Sequence, residues 1–211
     1  IYTYIDKDED NTVDSGEFLS FNVSNASQIQ PYLGVKSSTW DYLGSDENTR
    51  ASNLINYIRG KDASDLSGSV NVRDRTISGH VWKLGDIVHS TPVSISSPPD
   101  NFGLIYSDES YQTYYRHFKN RETVVYVGAN DGMLHAFTSW IYDPDTQQFS
   151  RPSGAPSSEH IGKELWAYIP QALLPHLKWL ADPEYTHVYY VDLKPKIFDA
   201  KIFDDDVHYT D

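Results

Sequence analysis

The chain contains no cysteine, which excludes a disulfide framework, a zinc–thiolate centre and c-type haem attachment. Basic residues are scarce: 17 lysines and arginines stand against 30 aspartates and glutamates, a formal net charge of −13 over 211 residues. A surface of that sign repels phosphate backbones, so nucleic acid is not an expected partner. It suits calcium and an extracellular setting instead. No apolar run approaches the roughly 18 to 20 residues of a membrane span, and no transmembrane segment is expected. No signal peptide is visible, and the start at Ile1 reads as a processed product or a fragment. The patterns G-x-S-x-G, H-E-x-x-H, Walker A and G-x-G-x-x-G are also missing, which removes the familiar hydrolase, zinc-protease and nucleotide signals.

What is abundant is carboxylate, and one stretch orders it. In "DKDEDNTVDSGE" (Asp6 to Glu17), counting Asp6 as position one, side-chain oxygens fall at one (Asp6), three (Asp8), five (Asp10), seven (Thr12), nine (Asp14) and twelve (Glu17). That spacing is the EF-hand ligand pattern, because Ca²⁺ takes several hard oxygen ligands and a tight loop delivers them from alternate positions. Position seven donates a backbone carbonyl, so Thr12 is free to vary in side chain. Position eight is the apolar Val13. Asn11 stands at position six, where glycine is usual because the backbone turns left-handed there, and asparagine is the next most tolerant residue. The segment following, "FLSFNVSN", reads as a strand rather than a helix, so the expected site is EF-hand-like and structural. An acidic solvated loop that binds nothing is the alternative.

Sixteen tyrosines and five tryptophans in a chain of mean hydropathy −0.54 point to β-rich packing with amphipathic rings near its surfaces. Helical periodicity occurs in "TRASNLINYIRG", with Thr49 as the expected cap and Gly60 as the stop, and in "YQTYYRHF" (Tyr111 to Phe118). In "IPQALLPHLKWLADP", Pro170 suits an early position and Pro175 bends or divides the helix. Strands are expected at "TVVYVG" and "MLHAFTSW", joined by the hairpin signal Asn130-Asp131-Gly132. Further strands are expected at "KELWAYIP", "HVYYVD" and "PKIFDAKIF", with a polar insertion from Asp143 to His160. Short strands at such spacing indicate an antiparallel propeller or sandwich.

Four segments in order, "LGDIVHSTPV" (Leu84 to Val93), "VVYVGANDGMLHAF" (Val124 to Phe137), "ELWAYIPQALLPHL" (Glu164 to Leu177) and "YTHVYYVDLKP" (Tyr185 to Pro195), resemble the C-terminal β-propeller of the PilC/PilY family of type IV pilus tip and biogenesis proteins. "LINYIRGKD" (Leu54 to Asp62) is similar to the segment that enters that propeller. The resemblance runs from about Leu54 to Ala200, and it departs where the family carries a small "VDGSP" turn and this chain has "VDLKP".

The resemblance implies a mainly β fold: a partial quinoprotein-like β-propeller of about three to four blades, at roughly 40 to 50 residues each, with helical insertions. Residues 1–53 would hold the EF-hand-like calcium loop and lead-in, and 54–211 the propeller part. It further implies a calcium-binding surface protein at the pilus tip, outer-membrane associated or extracellular, acting in pilus assembly, control of retraction and adhesion. The implied partners are pilin or minor pilin subunits, a host or surface receptor, and the remainder of the same polypeptide covering open strand edges. The metal-site expectation is Asp6, Asp8, Asp10, Thr12, Asp14 and Glu17. The other function class is a quinone-dependent propeller dehydrogenase, for which the calcium loop lies outside the propeller-like part. His89 and His135, inside the shared segments, read as hydrogen-bonded structural histidines. Asp204 to Asp206 read as an exposed acidic turn.

Overall fold

In the computed structural model, which describes residues 1–143, 146–155 and 157–200, strand β1 (Tyr2–Tyr4) leads into the acidic loop and β2 (Phe18–Ser20) leaves it. Helix α1 (Ala26–Leu33) follows a short 3₁₀ turn and stops at Gly34, whose φ of 64° a side chain would resist. Helix α2 (Glu47–Ile58) starts at Asp46, whose carboxylate accepts from the Thr49 N–H at 3.0 Å. The cap is therefore three residues earlier than the expected Thr49. Thr49 is the residue being capped.

A small hairpin joins β3 (Thr76–Ile77) to β4 (His80–Val81), and β5 (Val93–Ile95) comes next. The helices α3 (Phe102–Ile105) and α4 (Glu109–Phe118) precede β6 (Val124–Ala129) and β7 (Met133–Thr138). Strands β8 (Ile141–Asp143) and β9 (Gln148–Ser150) pair with each other, β8 ending where the expected polar insertion begins and β9 lying within it. After β10 (Glu164–Ile169), a 3₁₀ turn over Gln171–His176 meets α5 (Leu177–Leu180), with Pro175 at the division between them.

Six strands form one sheet in the order β2-β1-β10-β7-β6-β5, with β1 parallel to β10 and antiparallel to β2. The fold is mixed α/β rather than mainly β, and no sheet among the described residues closes. Two causes correct the expectation. Helices and 3₁₀ turns take up most of residues 23–66, and "HVYYVD" and residues 195–200 make no strand ladder. The remainder of "PKIFDAKIF", and Asp204 to Asp206, lie outside the described residues.

The chain divides into two compact units, each assembled from separated segments. In the first (Ile1–Thr91, Gly128–His135, Trp166–Leu193), Ile5, Phe21, Leu33, Leu54, Ile55, Ile169 and Leu177 share one buried core. Each such side chain contributes about 1.5 to 3 kcal/mol by leaving water. Two buried polar residues of α2 organise the loops beside it. Arg50 donates to the carbonyls of Val35, Gly44 and Lys36, and Asn53 bonds Leu43 and Ser67, so neither is left unpaired in the core. In the second unit, β5 pairs antiparallel with β6, and rings of Phe102, Tyr111, Tyr114 and Phe118 contact in sequence along α3 and α4. Arg121 forms a two-point pair with Asp199 at 2.8 and 2.9 Å.

The buried Tyr57 and the half-buried Tyr42 and Tyr190 of the first unit carry a pH dependence. Tyr42 donates to Lys178 O at 2.7 Å, and Tyr57 is shared between the carbonyls of Arg73 and Leu180. Burial is the leading cause that raises the phenols of Tyr42 and Tyr57, and it pushes Tyr190 up to about 12. Raised folded values mean that this stabilisation is complete below the ordinary tyrosine value near 10 and is lost as pH climbs through the folded ones. Lys178, lowered by burial, acts oppositely, but its contribution has fully developed by its ordinary value near 10.5. The tyrosines outnumber it and titrate higher. Unfolding followed by circular dichroism should therefore coincide with the last phase of tyrosinate absorbance, between roughly pH 10 and 12; ionisation of all 16 tyrosines by about pH 10 with the fold intact would contradict the burial argument.

Candidate metal centre

The acidic loop is closed at its base by the β1–β2 ladder, where Tyr4 stands opposite Phe18. Strands flank it on both sides, not the helices of an EF-hand. Glu17 is the residue that fixes the loop from within. It is only 3% exposed, and its two carboxylate oxygens accept from Lys7 N–H at 2.7 Å and Asp14 N–H at 2.9 Å. Its own backbone bonds Ile5 and Asp14. Asp6 accepts from Asn11 N–H at 3.0 Å, and Asp10 from Thr12 N–H at 2.6 Å. Asn11 has φ 61°, the left-handed conformation that position six requires.

Carboxylate oxygens of Asp6, Asp8 and Asp10 come within 4.8 Å of one another, and Asp6 Oδ1 is buried with no hydrogen-bond partner. Like charges at that separation repel, and a buried unpaired carboxylate oxygen is costly. A hard divalent cation answers both, so the donor set fits Ca²⁺. Asp14 and Glu17 are not among these converging carboxylates. Asp14 is exposed, and the Thr12 carbonyl accepts from the Tyr4 hydroxyl at 2.8 Å. Burial and then the carboxylates of Asp6, Glu17, Asp10 and Asp8 raise the Tyr4 phenol. Spacing alone gave no sign of Gln171, whose Oε1 receives Asp6 N–H at 3.1 Å from the far end of the chain, or of Lys7, which bonds Gly16 O and Gln28.

A second cluster in the first unit joins three of the segments singled out in the sequence. The Asn130-Asp131-Gly132 turn is buried, and Gly132 has φ 87°. Asp131 accepts from Gly85 N–H at 2.8 Å and Met133 N–H at 3.2 Å, and its oxygens face His135 Nε2 at 3.1 Å. Asn130 bonds Asp86 through both backbone and side chain, and receives Tyr190 N–H at 3.1 Å. Burial alone would raise the Asp86 carboxyl, but hydrogen bonds from Asn130 and His187 outweigh it and hold it below the usual range. Ser90 Oγ accepts from Gly128 N–H at 2.8 Å, while His89 pairs with Asp192. A Cβ at Gly85 would lie 2.4 Å from Asp131 N, and one at Gly128 would lie 2.4 Å from Val191 O. The glycines are there because backbones touch. His89 and His135 are hydrogen-bonded to carboxylates, as their structural reading anticipates.

In the first unit, then, an acidic loop is closed by strands, and separated sequence motifs are joined by hydrogen bonds through Asn130 and Asp131. The chain belongs to the PilC/PilY family. It is 36% identical over 157 residues, 70% of its length, to a type IV pilus biogenesis factor PilY1 homologue of Xylella fastidiosa. It is 30% identical over 187 residues to a second homologue from the same bacterium, and 28% identical over 187 residues to PilY1 of Pseudomonas aeruginosa strain PAK. The matched region spans only 11 to 14% of the length of these relatives. No family profile and no solved structure matches the chain. No helix among the described residues is long and apolar enough to cross a membrane.

Proposed function

We propose that this chain is a segment of a type IV pilus biogenesis protein that acts in pilus assembly, control of retraction and surface adhesion, at the pilus tip or cell surface and without catalysis. The 36% identity over 157 residues to a PilY1 homologue carries the reading. Its partners are then pilin or minor pilin subunits, a surface receptor and the rest of its own polypeptide. The outer strands β2 and β5 are paired on one side only among the described residues, which leaves edges that a partner strand can cover. The test is complementation in a piliated bacterium lacking its own PilY1-type protein. The full-length protein should restore surface pili, and failure of a well-expressed, exported protein to do so would reject the role. A quinone band in the visible spectrum of the purified protein would reject the non-catalytic part.

Within this protein, Asp6, Asp8 and Asp10 hold one Ca²⁺, with Asp14, Glu17 and the Thr12 carbonyl completing the set. The ion neutralises the converging carboxylates, and the Asn11 N–H keeps the Asp6 carboxylate in place among them. Titration calorimetry should give one site with a Kd of roughly 10⁻⁴ to 10⁻³ M, the range of extracellular calcium modules. Asp6→Ala, which removes both the buried oxygen and the acceptor for Asn11, should give no calcium heat. Equal binding by the two proteins would refute the site.

A further inference from the structure

In the first unit a cleft of about 260 Å³ lies between the β3–β4 hairpin and the Asn130–Asp131 turn, and Arg73, Arg75 and Lys83 line it. In a chain of net charge −13 these cations would be expected to find carboxylates. None of the three is paired with one among the described residues. The aspartates that also line the cleft are hydrogen-bonded elsewhere, Asp131 to Gly85, Met133 and His135, Asp86 to Asn130 and His187, and Asp74 to the Thr76 N–H, and Asp131 attracts Arg75 only from beyond ion-pair distance. Arg73 lies over the Tyr185 ring, 4.0 Å from its centroid, and its Nη1 is buried without a partner. Arg75 lies 3.7 Å over Tyr57 and donates to that residue's carbonyl. Stacking holds both guanidinium planes in place before any ligand arrives, which lowers the ordering cost of binding.

Beside the cations the wall is apolar and wet: Trp82 is 62% exposed, Ile77 60% and Leu84 45%. A small inorganic anion would satisfy the arginines and leave that wall in water. A peptide covers both. We propose that this cleft docks a segment of protein in which an acidic side chain enters between Arg73, Arg75 and Lys83 while an adjoining aromatic side chain packs on Trp82 and Leu84. Charge complementarity selects the acid, and the exposed indole supplies an anchor of the kind that dominates peptide recognition.

The test uses the full 211-residue chain and a capped Asp-Glu-Phe tripeptide, read through the indole N–H resonance of Trp82 by NMR, with Trp82→Ala assigning that signal. The acidic peptide should shift it saturably, and the Asn-Gln-Phe counterpart should bind roughly tenfold more weakly, the scale of one lost charge-assisted hydrogen bond. Lys83→Gln, an exposed change that leaves the fold alone, should weaken the acidic peptide without affecting the neutral one. Arg73→Gln should do so more strongly. Equal binding of both peptides, or no shift with either, overturns the proposal. So does inorganic phosphate binding to wild type and Trp82→Ala alike in competition with the peptide, which would mark a site for small anions only.

Discussion

Asp131→Ala should destabilise the chain by roughly 3 to 5 kcal/mol, the cost of removing one partner from a buried charged cluster. Three attachments go at once. Gly85 and Met133 lose the acceptor for their N–H groups, and His135, 3% exposed, loses the carboxylate it faces. Gly85 has no easy retreat, because its backbone already sits against Asp131 N so closely that a Cβ would not fit. Asp131→Asn keeps one acceptor oxygen and the side-chain volume, so its loss should be smaller. Urea unfolding monitored by tryptophan fluorescence reads both variants. A change below about 1 kcal/mol for Asp131→Ala would mean that the cluster is a surface turn in energetic terms, since that is what exposed pairs contribute.

The parts of this structure that were legible from sequence are those whose cause is local. The spacing of the acidic loop and the need for a left-handed residue at Asn11 are properties of a dozen consecutive positions, and φ there is 61°. The Asn-Asp-Gly turn is equally local. The ends of α2 were less so: Thr49 and Asp46 both carry capping oxygens, and periodicity does not say which one accepts. Helix α1 escaped because Pro31 inside it and Ser27 lower the intrinsic propensity, while burial of Ile29 and Leu33 against the core supplies what propensity does not.

"HVYYVD" shows the opposite error. Its alternation is that of a strand, but no ladder forms there: Tyr190 N–H goes to the Asn130 side chain, and the Val191 backbone packs against Gly128, where a Cβ would not fit. On β7, Met133, His135 and Ala136 are buried and Leu134 only half-buried, and strand alternation alone does not show that Asp131 faces His135 in the interior. Neither Gln171 at the acidic loop nor His187 at Asp86 carries any local signal, since each is brought to its partner from over a hundred residues away.

Gly132→Val should cost roughly 2 to 6 kcal/mol, from two effects of about 1 to 3 kcal/mol each that can be measured apart. The first is conformational. Gly132 has φ 87°, and a β-branched residue in that region is strained whatever surrounds it. The second is steric: an ideal Cβ already lies 3.1 Å from Leu177 Cδ2, and valine adds two further carbons beyond it. Leu177 is fully buried, so it cannot swing into solvent to make room. Gly132→Asn separates the terms, because asparagine tolerates left-handed backbone and its cost should be chiefly the contact. Pairing Gly132→Val with Leu177→Ala gives the converse. The leucine truncation alone should cost about 2 to 5 kcal/mol, but the double variant should be more stable than the sum of the single costs predicts, since the new cavity receives the valine. Strict additivity in thermal and urea unfolding would show that Leu177 does not bear on the turn, and a Gly132→Val protein as stable as wild type would show that the turn itself has been misassigned.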